Sequence, residues 1–203
     1  MPVLVGTARR PLPGELVCGD AFAVVQHPHA TLVCLADGLG HGPAAREASE
    51  AACQHARDHA EAPLGALIRG MDGVLATTRG AAVSLLSLQP GVRRVQFVGI
   101  GNVEVRAIAR SPIAPPTTPG IVGHGLRSVR VWEYPLADGD LLVLMTDGIS
   151  SRFELGDLAH LEPQRMAEVI LARHQKSHDD ACCVVAQVAA GGRALGATPG
   201  GGE

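Results

Sequence analysis

Apolar positions in this chain come in short bursts, and the spacing of those bursts changes twice. Leu16–Val25 and Thr31–Ala36 read as strands separated by His27-Pro28-His29. The period then lengthens. Pro43–Ala60 is alanine-rich with scattered charges, and Pro43 is a favourable first helical residue. Pro63–Thr78 is predicted as a second helix, with Leu64, Leu67, Ile68, Met71, Val74 and Leu75 forming one buried stripe. Strand patterns return at Ala82–Leu88, Arg93–Gly99, Val103–Ala109, Ser128–Tyr134 and Leu141–Thr146. A third helix is predicted over Pro163–His174, with Met166, Val169 and Ile170 on one face, and a last strand over Ala181–Val188. Many strands joined by short turns, with helices gathered in few places, predict an α+β layered domain with mostly antiparallel sheets. Alternating βαβ units are not seen.

Composition narrows this picture. The chain has 203 residues, 46% of them hydrophobic, which suits one domain of the usual ~100–200 residues. Three Phe, one Trp and one Tyr leave the core to Val, Leu, Ile and Ala. No linker interrupts residues 1–190, and the Gly-rich tail 191–203 is expected to be disordered because it has almost nothing to bury. Ser111–Pro119, with Pro112, Pro115, Pro116 and Pro119, reads as an ordered loop.

Charge and cysteine usage exclude several functions. A net charge of −3 without a polybasic tract gives no nucleic-acid footprint. The apolar runs fall short of the ~18 residues that span a bilayer, so no membrane partner is expected. Met1-Pro2-Val3-Leu4 shows no charged region followed by an apolar one, so no secretory signal is read. Five cysteines without a C-x-x-C pair read as buried, reduced thiols of a cytoplasmic protein. A monomer is expected.

The acidic residues carry the chemistry. Thr31-Leu-Val-Cys-Leu-Ala-Asp37-Gly38 is an apolar strand ending in Asp-Gly, and Leu141-Leu-Val-Leu-Met-Thr-Asp147-Gly148 repeats the device. Two other acidic spots sit where apolar strands begin: Asp20 after Gly19, and Asp179-Asp180. In an antiparallel pair the end of one strand lies beside the start of its neighbour, so all four spots can gather at one end of the sheets. A hairpin centred between Pro28 and His29 puts Asp20 opposite Asp37, and a bulge would shift that register by one residue. Facing aspartates repel. A multivalent cation between them removes the repulsion, and oxygen ligands without Cys or His favour Mg²⁺ or Mn²⁺. Two such ions about 3.5–4 Å apart can activate a water for attack on phosphorus. Asp-Gly is also ordinary turn chemistry, and Asp138-Gly139-Asp140 reads as a hairpin turn of that kind.

Taken in order, Asp20 in Gly-Asp, Ala36-Asp37-Gly38-Leu39-Gly40-His41-Gly42, Thr146-Asp147-Gly148 and Asp179-Asp180 resemble the motifs of the PPM metal-dependent protein phosphatases. The match is closer to their SpoIIE-type branch, and the small size looks most like its stressosome phosphatases. Thr117–Gly123 also resembles a connecting motif of that branch. The resemblance covers roughly residues 14–188. It implies an αββα four-layer sandwich, two mostly antiparallel sheets flanked by helices, with two Mn²⁺ or Mg²⁺ ions at one edge. Asp37 would bridge both ions. Asp20 and the Gly38 carbonyl would bind one, and Asp147 and Asp179 the other, with Asp180 a second choice. A metal-bound hydroxide would hydrolyse phosphoserine or phosphothreonine on a phosphorylated regulatory protein of the STAS-domain, stressosome type. Leu39 stands where animal-type members carry a His. His41 lies four residues after the bridging Asp, so the leaving oxygen would take its proton from His41 or from metal-bound water.

No residue is assigned to grip the phosphate; Arg9 and Arg10 are candidates by position, with ordinary surface charge the alternative. The loop Arg110–Gly125 is a candidate for partner contact. Gly38-Leu-Gly40-His-Gly42 has the wrong spacing for a dinucleotide loop, and Gly99-Ile-Gly101-Asn102 reads as a hairpin turn. His55/His59 and His174/His178 have zinc-ligand spacing without a clear third ligand. Two rival functions remain open at this point: a non-catalytic partner-binding module of the same fold, and a small-molecule phosphoester hydrolase.

Overall fold

The computed structural model describes residues 2–190, and the tail predicted from Gly191 lies outside them. Nine strands and three α-helices follow the chain as β1 (Val3–Arg10), β2 (Asp20–His27), β3 (Ala30–Gly38), α1 (Gly42–Asp58), α2 (Leu64–Leu75), β4 (Ala81–Gln89), β5 (Arg94–Ile100), β6 (Glu104–Ile108), β7 (Trp132–Pro135), β8 (Leu141–Met145), α3 (Pro163–His174) and β9 (Ala181–Val188). They build two fully antiparallel sheets, ordered β1-β9-β8-β6 and β2-β3-β4-β5-β7. Helices α1 and α2 cover one sheet and α3 the other, which is the expected αββα sandwich.

Strand periodicity of two sorts the side chains into three apolar layers. In β3, Leu32, Cys34 and Ala36 face α1 and α2, while Val33 and Leu35 face the other sheet. In β9, Cys182, Val184 and Ala186 enter the inter-sheet layer, and Ala181, Cys183 and Val185 meet α3. Both faces are buried, so these strands read as unbroken apolar runs. Helix α1 presents Ala45, Ala48, Ala52 and Ala56, which lets its backbone lie close to the sheet. A Cβ on Gly38 would meet the Ala45 carbonyl oxygen at 2.0 Å. All five cysteines are free and buried, as expected. Among the described residues no helix is long and apolar enough to cross a membrane.

Several expectations need correction. Strand β1 was not foreseen. It is an edge strand paired with β9 from the far end of the chain, and Gly6 stands in it where α3 comes close, since a Cβ there would run into the backbone of Pro163 and Gln164. Residues 16–19 are not strand; Leu16 is 97% exposed. Strand β7 keeps only the end of its predicted span, because Val129 and Val131 pack against the helix-covered layer instead of extending a ladder. Val74 is exposed, at the rim of the α2 stripe. The turns at 99–102 and 138–140 are not hairpins. Each carries the chain from one sheet to the other, since β5 and β6, like β7 and β8, lie in different sheets.

Candidate metal centre

The β2–β3 hairpin has no bulge, and Asp20 stands directly opposite Asp37. Strands β8 and β9 pair as far as Met145 opposite Cys183, and the next rung is closed by the Thr146 N–H on the Cys182 carbonyl at 3.0 Å. This brings Asp147-Gly148 against Asp179-Asp180. The approach is tight: a Cβ on Gly148 would lie 1.7 Å from the Asp180 carbonyl oxygen. The five aspartates from four strand ends therefore share one edge of the sandwich.

They form two levels. Asp37, Asp147 and Asp179 line a cleft of about 600 Å³, together with Gly40 and His41. Asp20 and Asp180, each 2% exposed, lie beneath them. The Thr146 hydroxyl donates to Asp20 Oδ2 at 2.8 Å and accepts the Cys182 N–H at 2.9 Å. Asp180 Oδ1 accepts the Leu12 N–H at 2.8 Å, and Asp180 Oδ2 is buried without a partner.

Three of these carboxyl groups, Asp20, Asp37 and Asp179, hold their protons more tightly than usual. Burial first, then the charge of Asp37, pushes Asp20 well above the usual carboxylate range despite the Thr146 hydrogen bond. Burial, then Asp147, Asp179 and Asp180, pushes Asp37 up to about 7. Asp179 is raised by burial and by Asp147. Among the described residues no Lys, Arg or His side chain forms an ion pair with any of the five. A buried carboxylate oxygen with no donor, inside a set of mutually repelling oxygen ligands, is a site that a hard divalent cation fits. No three acidic, His or Cys side chains among the described residues already close into a ready-made cage. Several of the oxygens are engaged elsewhere: Asp147 Oδ2 accepts from Asn102 Nδ2 at 2.7 Å, and Asp179 Oδ1 from the Asp180 N–H at 2.9 Å.

Three other groups at the edge were not anticipated. Asn102 reaches Asp147 because the 99–102 turn crosses between sheets. Lys176 Nζ donates to the Asp147 carbonyl at 2.5 Å, and its N–H to the Gly148 carbonyl at 2.8 Å, fixing that turn. Glu15 Oε1 lies 2.6 Å from His41 Nδ1, so Nδ1 carries a proton and Nε2 is the ring atom left for other work. Each depends on a long-range approach with no local sequence signal, apart from the glycines that flank the turn before Asn102.

The remaining candidates do not form a second site. Arg9 pairs with Glu50 at 3.7 Å and lies over the Phe22 ring, and it is not among the residues that line the cleft. His55 and His59 stack on each other at 4.2 Å. His174 stacks on Phe153 while His178 lines the cleft, which splits that pair.

Residues 27–189 match the family model of Stage II sporulation protein E (SpoIIE), a span that includes Asp37, His41, Asp147, Asp179 and Asp180 and leaves out Asp20. The phosphoserine phosphatase RsbX of Bacillus subtilis (strain 168) is 26% identical over 141 residues, covering 68% of this chain and 70% of that protein. A chain from a structural study of the bacterial stressosome, as a modular system adapted to control secondary messenger signaling, superposes with a TM-score of 0.89. It is 28% identical and covers 92% of this chain and 100% of its own. RsbX in complex with magnesium superposes with a TM-score of 0.84 at 20% identity, covering 92% and 96% of the two chains.

Proposed function

The chain belongs to the SpoIIE family, and from that premise we propose that it is a metal-dependent protein serine/threonine phosphatase working at the acidic edge. The observation that carries this reading is the buried, unpartnered Asp180 Oδ2 in a set that includes Asp20 and Asp37, whose carboxyl groups burial and neighbouring charge hold above the usual range. Asp37, Asp20 and the Gly38 carbonyl would hold one divalent ion, and Asp37, Asp147 and Asp179 a second, with Asp180 an alternate ligand. Ions bound there supply an acidified water for attack on phosphorus and neutralise phosphoryl oxygens.

The chain's own residues supply orientation. Thr146 fixes the Asp20 carboxylate, and Asn102 and Lys176 fix the Asp147 turn. His41, held at Nδ1 by Glu15, stands at the cleft wall and donates a proton to the leaving serine or threonine oxygen. The substrate is a phosphorylated regulatory protein of the STAS-domain, stressosome type, met in the cytoplasm by a monomeric enzyme. The similarity to the phosphoserine phosphatase RsbX supports the phosphoserine part of this choice, and the likeness to a chain from a structural study of the bacterial stressosome supports the class of regulator.

The test is phosphate release from a phosphoserine peptide after chelation, then with Mn²⁺ or Mg²⁺ restored. Release is expected only with the ions. Full activity in excess chelator overturns the mechanism, and uptake of Mn²⁺ without turnover on any phosphoprotein favours a binding module.

A further inference from the structure

The long connection from β6 to β7 runs past the cleft, and its shape is held by the ends of β4 and β5 and by a side chain of α2. Thr118 bridges Ile100, and Val122 exchanges hydrogen bonds with Ala81, so the segment between them is clamped at both ends. Pro119, Gly120 and Ile121 of that segment, with Thr117, form one wall of the cleft. Beyond Val122 the chain turns sharply, with φ of +107° at Gly123 and +83° at Gly125. Those turns point three backbone N–H groups at one side chain of α2. Asp72 Oδ1 accepts from Gly123 at 2.6 Å and from Gly125 at 3.2 Å, and Oδ2 accepts from Leu126 at 2.8 Å.

A carboxylate taking three backbone N–H groups is a strong, charge-assisted anchor. Burial alone would raise the Asp72 pKa; the three donors and nearby His124 outweigh it and hold Asp72 below the usual range. The anchor touches none of the proposed metal ligands. None of the four wall residues can titrate or ligate a metal ion strongly, so the wall bears on fit rather than chemistry.

We propose that Asp72 is a positioning residue: by pinning Gly123, Gly125 and Leu126 just beyond the Val122–Ala81 clamp it steadies, from behind, the wall at Thr117–Ile121 against which the polypeptide around the phosphorylated residue lies. The inference rests on the phosphatase reading and deepens it, because it locates selectivity for protein over small esters in this wall. A small ester fills the reacting centre and barely touches the wall. An extended peptide needs it.

The experiment compares steady-state kinetics on p-nitrophenyl phosphate and on an extended phosphoserine peptide, both with Mn²⁺. In Asp72→Ala the peptide KM rises about tenfold or more, in line with the cost of misplacing a positioning element, while kcat on p-nitrophenyl phosphate stays within about threefold. Asp72→Asn keeps the Oδ1 acceptor but turns an N–H toward Leu126, and gives an intermediate peptide defect. Ile121→Ala leaves α2 intact and shifts the peptide KM in the same direction. Thermal melting identifies a variant that fails to fold; Asp72→Asn and Ile121→Ala then decide the matter. Equal losses on both substrates, or an unmoved peptide KM in the folded variants, overturn the inference. Wild type turning over neither substrate overturns the phosphatase reading itself, and this inference with it.

Discussion

Strand β8 carries an aspartate just beyond each end, and the two are treated in opposite ways. Before its start, Asp140 is 3% exposed with both oxygens satisfied: Oδ1 accepts the Arg110 N–H at 2.9 Å and Oδ2 the Ala137 N–H at 2.8 Å. Beyond its other end, Asp147 joins four more carboxylates that have one another for neighbours. There the deep pair is under-served: Asp20 has a single hydroxyl donor on its carboxylate, and one oxygen of Asp180 has none. Burial is therefore not what separates a structural carboxylate from a proposed ligand. The supply of donors is. Asp72 falls with Asp140, on the structural side of that line.

The contrast breaks most severely at Asp37. Asp37→Asn keeps the shape of the side chain and removes the charge through which two ions would be joined. Activity on a phosphoserine peptide with Mn²⁺ is expected to fall at least about 100-fold, since even an outer-shell partner of a metal ligand costs 10–100-fold. Retention of more than about a tenth of wild-type activity on the same scale would remove Asp37 from the centre. At the other end of β8 the readout is stability. Asp140→Ala strands the Arg110 and Ala137 N–H groups, at a cost of about 1–3 kcal/mol in urea unfolding, with Mn²⁺-dependent turnover retained in the folded fraction. Turnover lost without loss of stability would place Asp140 on the functional side.

How much of this was legible beforehand follows from the range of the signal. The facing of Asp20 and Asp37 was readable because a two-strand hairpin is local and its centre can be counted from His27-Pro28-His29. The paired apolar runs ending in Asp-Gly gave the second half of the edge, because strand polarity alone forces ends and starts together. Asn102 was hidden by the same locality: a glycine-flanked turn looks alike whether it closes a hairpin or crosses between sheets. Strand β1 was hidden because its partner, β9, is at the far end of the chain. Asp72 sits on a helix whose core stripe was plain, but its partners lie some fifty residues on, in a loop with no periodicity. The αββα layering needed no such distant knowledge, since it follows from which faces must be covered.

The gentlest way to sharpen the contrast is to titrate the ligand-free protein. Asp37 is pushed up to about 7 and Asp20 is raised well above its ordinary value, so the folded state holds protons that the unfolded chain has released. The sign follows from linkage: where the folded state binds more protons, stability falls as pH rises. The window runs from the unfolded carboxylate value near 4 up to about 7. In chelator, the melting temperature is expected to be a few degrees higher near pH 5.5 than near pH 7.5, given that about 1 kcal/mol moves a domain of this size by roughly 2–4 °C. Saturating Mn²⁺ replaces the protons at neutral pH and binds less well in acid, so its stabilisation grows with pH over the same range. Asp140→Ala should leave this slope in place, because the group it removes lies at the satisfied end of the strand. Asp37→Asn should make it shallower, because that change removes one of the two raised carboxyl groups and the charge that helps raise the other. If the chelated wild type instead gained stability with rising pH, the acidic edge would resemble the far end of β8, with its charges already compensated and no cation needed.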